Sequence, residues 1–201
     1  MEKYQLIEMK GNMFIFHPSG GSEFSCKLQC QQCAATTKTG TKCKRSVCIG
    51  IPYCWTHARL SGLAVKNTEG RGKGLFAYGK DKKQRETGSP AVFKKNDVIA
   101  EYSGELISRE ELARRYNNVT APYTLASAQK DKYIDAACKR GLGSLANDPR
   151  GTGVQANARL SVGRNGGNLK ATKNIYHGQE ILTSYGRDYW RNHDDAALKG
   201  R

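Results

Sequence analysis

The sequence predicts a mostly β fold assembled from several small sheets with few short helices, and three observations carry that expectation. Strand-like runs are short and separated by breakers: Phe14-Ile-Phe16, the apolar run ending Gly74-Leu-Phe-Ala77, two runs between Phe93 and Ile107, Tyr123-Thr-Leu125, Lys132-Tyr-Ile-Asp135 and Glu180-Ile-Leu-Thr-Ser-Tyr185. One helix start stands out, with Ser108 as N-cap, Glu111 at the capping-box position and a run to about Tyr116. The links are long and irregular, as in Asn147-Asp-Pro-Arg-Gly-Thr-Gly153, where turn residues dominate. Short strands with irregular links point to a β-rich class rather than to helices layered on a parallel sheet.

The 201 residues suffice for one domain with a real core and a small accessory module. Apolar residues make up 38% of the chain, below the globular norm but outside the disordered range, so a folded core is expected. The formal charge of +15 implies an acidic partner: nucleic acid, nucleosomes or an acidic protein surface, among which charge alone does not choose. No apolar run is long enough to span a bilayer, so no membrane partner is expected. Met1-Glu-Lys-Tyr-Gln-Leu-Ile-Glu-Met-Lys10 lacks the basic start and apolar core of a secretory signal, which makes a reducing compartment the expectation.

The cysteines are clustered. Cys26, Cys30, Cys33, Cys43, Cys48 and Cys54 fall within 29 residues, and Cys138 stands apart. Without an export signal, such a cluster reads as metal-binding more readily than as a disulfide framework. Cys54-x-x-His57 is a tight ligand pair of the kind a tetrahedral zinc site uses, and Cys33 and Cys43 lie upstream with Gly40 permitting a turn between them. The best ligand set is therefore Cys33, Cys43, Cys54 and His57, with Cys30 and Cys48 as substitutes and a second metal left open. Thiolate-rich tetrahedral sites select zinc over hard cations. A segment this short cannot fold on apolar burial, so the metal would be structural. From Phe24 to Thr68 there are basic residues but no Asp or Glu, which fits either a solvated face or a contact to a phosphate backbone.

Composition divides the chain into a peripheral extension over 1–25, a Cys/His module over 26–60, a main domain over 61–190 and a tail over 191–201. The main domain opens on Gly70-Arg-Gly-Lys-Gly-Leu-Phe-Ala77, whose glycines let the backbone approach a ligand closely. It lacks the Gly-Lys-Ser/Thr ending of a nucleotide phosphate loop. Residues 79–90 are polar and read as an exposed insertion.

Taken in order, Gly70-Arg-Gly-Lys-Gly-Leu-Phe-Ala77, Glu101-Tyr-Ser-Gly-Glu-Leu-Ile107, Tyr133-Ile-Asp-Ala136, Asn147-Asp148, Asn157-Ala-Arg159 and the stretch from Ile175 to Trp190 resemble the SET domain of protein lysine methyltransferases, over about residues 60–190. The resemblance implies small β-sheets joined by a pseudo-knot, in which the Asn147 segment packs on the closing tyrosine strand. Cofactor and peptide would enter from opposite faces of a narrow channel. Residues 33–57 resemble short zinc modules with a Tyr-Cys-Trp at the third ligand.

By that resemblance Arg71, Gly72, Lys73, Gly74 and Leu75 form the segment whose backbone holds S-adenosylmethionine. Asn147 and Asp148 stand where the family has an Asn-His pair. Tyr185 matches the catalytic channel tyrosine and Tyr123 a second one. Tyr189 and Trp190 sit where an aromatic covers the adenine. The implied activity is lysine N-methylation of a histone or another basic-tailed protein. A nuclear or chromatin location is then expected, with the cytoplasm as the other possibility, and the basic module would contact nucleosomal DNA. A different class also remains open: a zinc-dependent chromatin-binding protein whose SET-like region is an inactive scaffold. Two departures matter. Asp148 replaces the histidine, and no cysteine follows Trp190 to build the usual closing segment, which would leave Tyr189 and Trp190 to complete the channel.

Overall fold

A computed structural model of the chain describes residues 5–10, 13–17, 23–86, 90–117, 121–187, 189 and 190. Five small sheets account for the strands. The first is antiparallel, with β1 (Gln5–Lys10), β2 (Met13–His17) and β3 (Cys26–Gln29) in chain order. Along β3 the buried residues Cys26 and Leu28 alternate with exposed Lys27 and Gln29, the period that one covered face demands. The expectation that residues 1–25 are peripheral fails here. Phe16 is buried, its ring centroid is 5.8 Å from that of Tyr123, and the Arg140 guanidinium lies over both rings.

The Cys/His segment contributes β4 (Gln31–Gln32), β5 (Ser46–Val47) and α1 (Trp55–Leu60). The Cys30–Cys48 disulfide overturns the reading of Cys30 and Cys48 as substitute metal ligands, and a second disulfide joins Cys26 to Cys138. The cause is register: Gln31 pairs with Val47, so the preceding Cys30 lies opposite the following Cys48. Spacing along the chain does not reveal this. The segment also does not keep a core to itself. Cys33, Cys43 and Cys54 belong to the same buried cluster as Leu63, Leu75, Leu145, Ile175 and Ile181.

The hairpin of β6 (Leu63–Thr68) and β7 (Gly72–Ala77) follows. A single helical turn, α2 (Lys82–Arg85), is capped by Asp81, whose carboxylate accepts from the Gln84 N–H at 2.8 Å. Next come β8 (Val98–Tyr102), β9 (Glu105–Ser108) and α3 (Arg109–Tyr116). The Ser108 hydroxyl accepts from the Glu111 N–H at 3.2 Å, the predicted N-cap. The Glu111 carboxylate is turned away, onto Arg114 and Arg115. Then β10 (Thr124–Ala126) and β11 (Lys132–Asp135) join β9 in the order β10-β11-β9, and β12 (Ala158–Val162) and β13 (Gly167–Ala171) join β8 in the order β12-β13-β8. A 3-10 turn at Leu142–Leu145 packs against the end of β8. Gly141 is required there, because a Cβ would lie 2.4 Å from the Glu101 carbonyl oxygen.

The closing segment reaches both halves of this arrangement. On one side Ile181 N–H donates to the Leu75 carbonyl at 2.7 Å and Ala77 N–H donates to the Gln179 carbonyl at 2.9 Å. On the other, Thr183 N–H donates to the Asn147 carbonyl at 2.9 Å and Ala158 N–H to the Leu182 carbonyl at 3.0 Å. The predicted strand over 180–185 is thus a series of single bridges, Glu180 to Phe76, Leu182 to Asn147 and Thr183 to Ala158, rather than one regular ladder. Asn157 locks it: its Oδ1 accepts from Leu182 N–H and its Nδ2 donates to the Glu180 carbonyl, each at 2.8 Å.

A buried ionic knot ties α3 to β9 and β11. Asp135 is fully buried and accepts from Tyr116 Oη at 3.0 Å, from Arg115 Nη1 at 3.0 Å and from the Ala137 N–H at 3.0 Å. Arg115 also donates to Glu105 and Glu111, each at 2.7 Å. Burial pushes the Asp135 carboxyl up from its ordinary value, against the lowering effect of these donors. Arg115→Met should therefore lower the unfolding free energy by about 3–5 kcal/mol, the cost of stranding a buried charge. A carboxyl raised in the folded state supports the fold when protonated and withdraws that support as pH rises through its folded pKa. Urea melts at a series of pH values should then show the variant's deficit shrinking as pH falls; a deficit independent of pH would exclude stranded Asp135 as its source.

Candidate active site and metal centre

The glycine-rich segment is mostly strand: Gly72, Lys73, Gly74 and Leu75 lie in β7, and Arg71 lies in the turn before it. Gly74 is pressed against three groups, since a Cβ there would meet Thr68 at 2.6 Å, Glu180 Oε1 at 2.8 Å and Asn147 Nδ2 at 3.0 Å. Those groups form one polar junction. Asn147 Nδ2 donates to Glu180 Oε1 at 3.0 Å and lies 3.3 Å from both the Lys73 carbonyl and Thr68 Oγ1. Arg71 meets Glu180 in a fork, Nη1 to Oε1 at 3.2 Å and Nη2 to Oε2 at 2.9 Å. Bidentate pairs of this kind fix direction as well as distance. Glu180 was not among the predicted site residues. Its only sequence signal is a carboxylate heading the Ile181-Leu182 pair, and its partner Arg71 is 109 residues away.

Asp148 is buried and holds the end of the described chain. Its Oδ2 accepts from the Tyr185 N–H at 2.7 Å and from Trp190 Nε1 at 3.2 Å, and its Oδ1 accepts from the Arg150 N–H at 2.8 Å. The rings of Tyr185 and Trp190 are nearly parallel, 13° apart with centroids at 6.4 Å, and Tyr189 meets both edge-on. The Arg150 guanidinium lies over Trp190 at 4.6 Å. An open cleft of about 780 Å³ runs along Asp148, Arg150, Gln155, Arg187 and Trp190.

The tyrosines converge beside this cluster. Tyr185 Oη donates to the Ala146 carbonyl at 3.1 Å, and Tyr102 Oη donates to the Tyr123 carbonyl at 2.6 Å. Burial pushes the Tyr185 hydroxyl well up, and the nearby Tyr189, Tyr123 and Asp148 add to the rise. Burial raises Tyr102 likewise, with Tyr185 the largest electrostatic neighbour. Both phenols stay neutral through the physiological range, so they serve as hydrogen-bonding groups and not as bases. Tyr102 was also missed as a site residue, although the Glu101-Tyr-Ser-Gly run that contains it was part of the sequence pattern.

The four predicted metal ligands come together. Sγ of Cys33, Cys43 and Cys54 and a ring nitrogen of His57 all lie within 4.8 Å of one another. Cys54 caps α1 and His57 lies in its first turn, which sets Cys54 Sγ 3.3 Å from His57 Nδ1. Cys43 and Cys54 Sγ are 4.0 Å apart. Zn–S bonds of about 2.3 Å in a tetrahedron place sulfurs at about this separation. Burial raises the Cys54 thiol, but hydrogen bonds from His57 and contact with Cys33 outweigh it and bring Cys54 down to about 6. A thiolate beside a histidine nitrogen and two further cysteines is a donor set that fits zinc.

The profile of the SET domain matches residues 90–186. Residues 90–186 are a SET domain. The match takes in β8 to β13, Asn147, Asp148, Tyr102, Tyr123 and Tyr185; the glycine hairpin and the Cys/His cluster precede it. The histone-lysine N-methyltransferase Set8 of Drosophila melanogaster is 29% identical over 157 residues, covering 74% of this chain and 21% of that protein. The chain therefore spans about a fifth of the length of that relative. Among solved structures, polycomb repressive complex 2 of Chaetomium thermophilum aligns with 63% of this chain and 15% of its own at 23% identity and a TM-score of 0.46. A form of ctPRC2 bound to S-adenosylmethionine aligns with 70% of this chain and 17% of its own at 21% identity and a TM-score of 0.48.

The Glu180 junction makes a prediction. Glu180→Ala strands the Arg71 guanidinium and the Asn147 amide, and should lower the unfolding free energy by about 1.5–3 kcal/mol, the range for hydrogen bonds to charged groups. Glu180→Gln keeps an acceptor for Asn147 and should lose less. Equal losses in denaturant titrations would show that the Asn147 bond contributes nothing.

Proposed function

We propose that this chain is a protein-lysine N-methyltransferase that uses S-adenosylmethionine and acts on a histone or another basic-tailed protein. The carrying observation is the half-buried Tyr185, its hydroxyl held on the Ala146 carbonyl beside buried Tyr102 and Tyr123 within a SET domain. The kinship with a histone-lysine methyltransferase supports the substrate class.

When bound, the cofactor supplies a methyl group on a sulfonium. The residues that would hold it are the backbone of Arg71, Gly72, Lys73, Gly74 and Leu75, together with Asn147, Asp148, Tyr189 and Trp190. Methyl transfer is an in-line displacement by a neutral amine, so the chain's main tasks are to strip water from the lysine and to aim it. Burial among tyrosine rings favours the neutral amine over the ammonium. The Tyr185 and Tyr123 hydroxyls would fix the direction of its lone pair. Backbone carbonyls lining the channel would accept weak C–H···O contacts from the polarised methyl.

Zinc on Cys33, Cys43, Cys54 and His57 has no part in the transfer; it would hold the segment that packs behind β6. Exposed Lys38, Lys42 and Lys44 on that segment support a contact to nucleosomal DNA. The charge of +15 adds a reason: it repels a free basic tail and favours a tail presented on an acidic assembly. A chromatin location follows from the same substrate class.

Two measurements test this. Tyr185→Phe keeps the ring and removes the hydroxyl, and should cut labelled-methyl transfer to histones and nucleosomes by at least about 100-fold, the cost of misplacing a reacting group. Transfer undiminished by the substitution would remove Tyr185 from the catalytic role, whereas a wild-type chain that neither transfers methyl nor binds the cofactor in calorimetry would leave the inactive chromatin-binding scaffold as the reading. Metal analysis should give one zinc per chain, lost in Cys43→Ser. Because the thiolate is the ligand and protons compete for it, zinc retention should fall as the pH is lowered.

A further inference from the structure

A groove of about 290 Å³ separates β5 from β6, away from the tyrosine cluster. Its floor is apolar, with Val47, Ile51, Ala64 and Val65, and Tyr53 and Trp55 stand at its mouth. Trp55 is 63% exposed, the most exposed large apolar side chain among the described residues. The polar groups lining it include Arg59, Lys66 and Lys73, all exposed, and no lining residue is acidic. Arg45 also lies over Trp55, at 4.7 Å.

The backbone at this groove is open as well. Among the described residues β6 has β7 as its one sheet neighbour and β5 has β4, so each presents an edge that a further strand can join. Open edges are normally covered or blunted.

We propose that this groove docks an extended acidic peptide that adds to the free edge of β6. Strand addition would satisfy the backbone groups of β6, and the two-residue period of the bound strand would send apolar side chains to the floor and carboxylates to Arg59 and Lys66. Charge complementarity selects the acidic class. The chemistry of the groove disfavours nucleic acid. A stacking platform for bases needs a bare aromatic face, whereas Trp55 has the guanidiniums of Arg45 and Arg59 over it, at 4.7 and 5.1 Å. An aliphatic floor offers nothing to a sugar-phosphate backbone. The proposal is independent of methyl transfer.

The test uses the full chain loaded with zinc and a fluorescein-labelled decapeptide of alternating Glu and Val, with a Lys-Val decapeptide as control. Anisotropy at physiological salt should show the Glu-Val peptide binding at least about tenfold more tightly. Lys66→Glu, a change at an exposed side chain, should weaken it about tenfold, as expected for one lost charge-assisted contact. Trp55→Ala should weaken it too, with the thermal midpoint confirming that each variant is folded. In ¹⁵N spectra the peptide should shift the amides of residues 63–68. No binding at millimolar peptide, equal binding of the two peptides, or an unchanged Kd in Lys66→Glu would overturn the proposal. So would duplex or single-stranded DNA that displaces the peptide while shifting the same amides, since the groove would then belong to nucleic acid.

Discussion

The carboxylate of Glu180 is the constraint on which the rest of this structure turns. It is 14% exposed and is held in a fork by Arg71, while its Oε1 also takes the amide of Asn147. Three segments remote in sequence are thereby fixed to one point: the turn before β7, the irregular link after the 3-10 turn, and the closing segment. Once they are fixed, the backbone bonds of Ile181 to Leu75 and of Thr183 to Asn147 fall into register. Tyr185, two residues further on, has little freedom left. The precision of the tyrosine cluster is inherited from a polar junction that itself points elsewhere.

A second theme is how a chain of modest apolar content stabilises so many short strands. Each sheet has two or three strands, too few to stand alone in water. They share one buried cluster that runs from Cys33 and Cys54 through Leu75 to Ile181, and a second that joins Phe16 and Leu28 to Tyr102 and Tyr123. Cross-links reinforce both: the Cys/His cluster at one end, and the Cys26–Cys138 disulfide between β3 and the chain after β11. That disulfide closes a loop of about a hundred residues, where the entropic restraint on the unfolded chain is large. Asp148 plays a similar part at the other end. There its buried carboxylate anchors the indole N–H of Trp190 and the Tyr185 amide.

Much of this was legible in the residues. The strands over 98–102, 105–108 and 132–135 follow from alternation and breakers, and α3 from the Ser108 cap, because these signals are local. The cluster of Cys33, Cys43, Cys54 and His57 was legible because Cys54 and His57 share one helical turn. The roles of Glu180 and Tyr102 were not, although both lie in motif stretches: one is defined by Arg71 across 109 residues and the other by the carbonyl of Tyr123. The N-terminal strand misled for the same reason. Phe14-Ile-Phe16 reads as a short strand with nothing to pack on until Tyr123 and Arg140 are placed against Phe16.

By itself the sequence determined the β-rich class, the order of the SET motifs and the residues of the Cys/His cluster, since each depends on residue type and short-range spacing. Only the tertiary structure decided which cysteines pair, which carboxylate holds Asn147, and that the Cys/His segment shares its core with the rest of the chain. Those outcomes depend on strand register and on contacts between residues tens to more than a hundred positions apart. Such contacts form only after the sheets are assembled, and local propensity does not encode them.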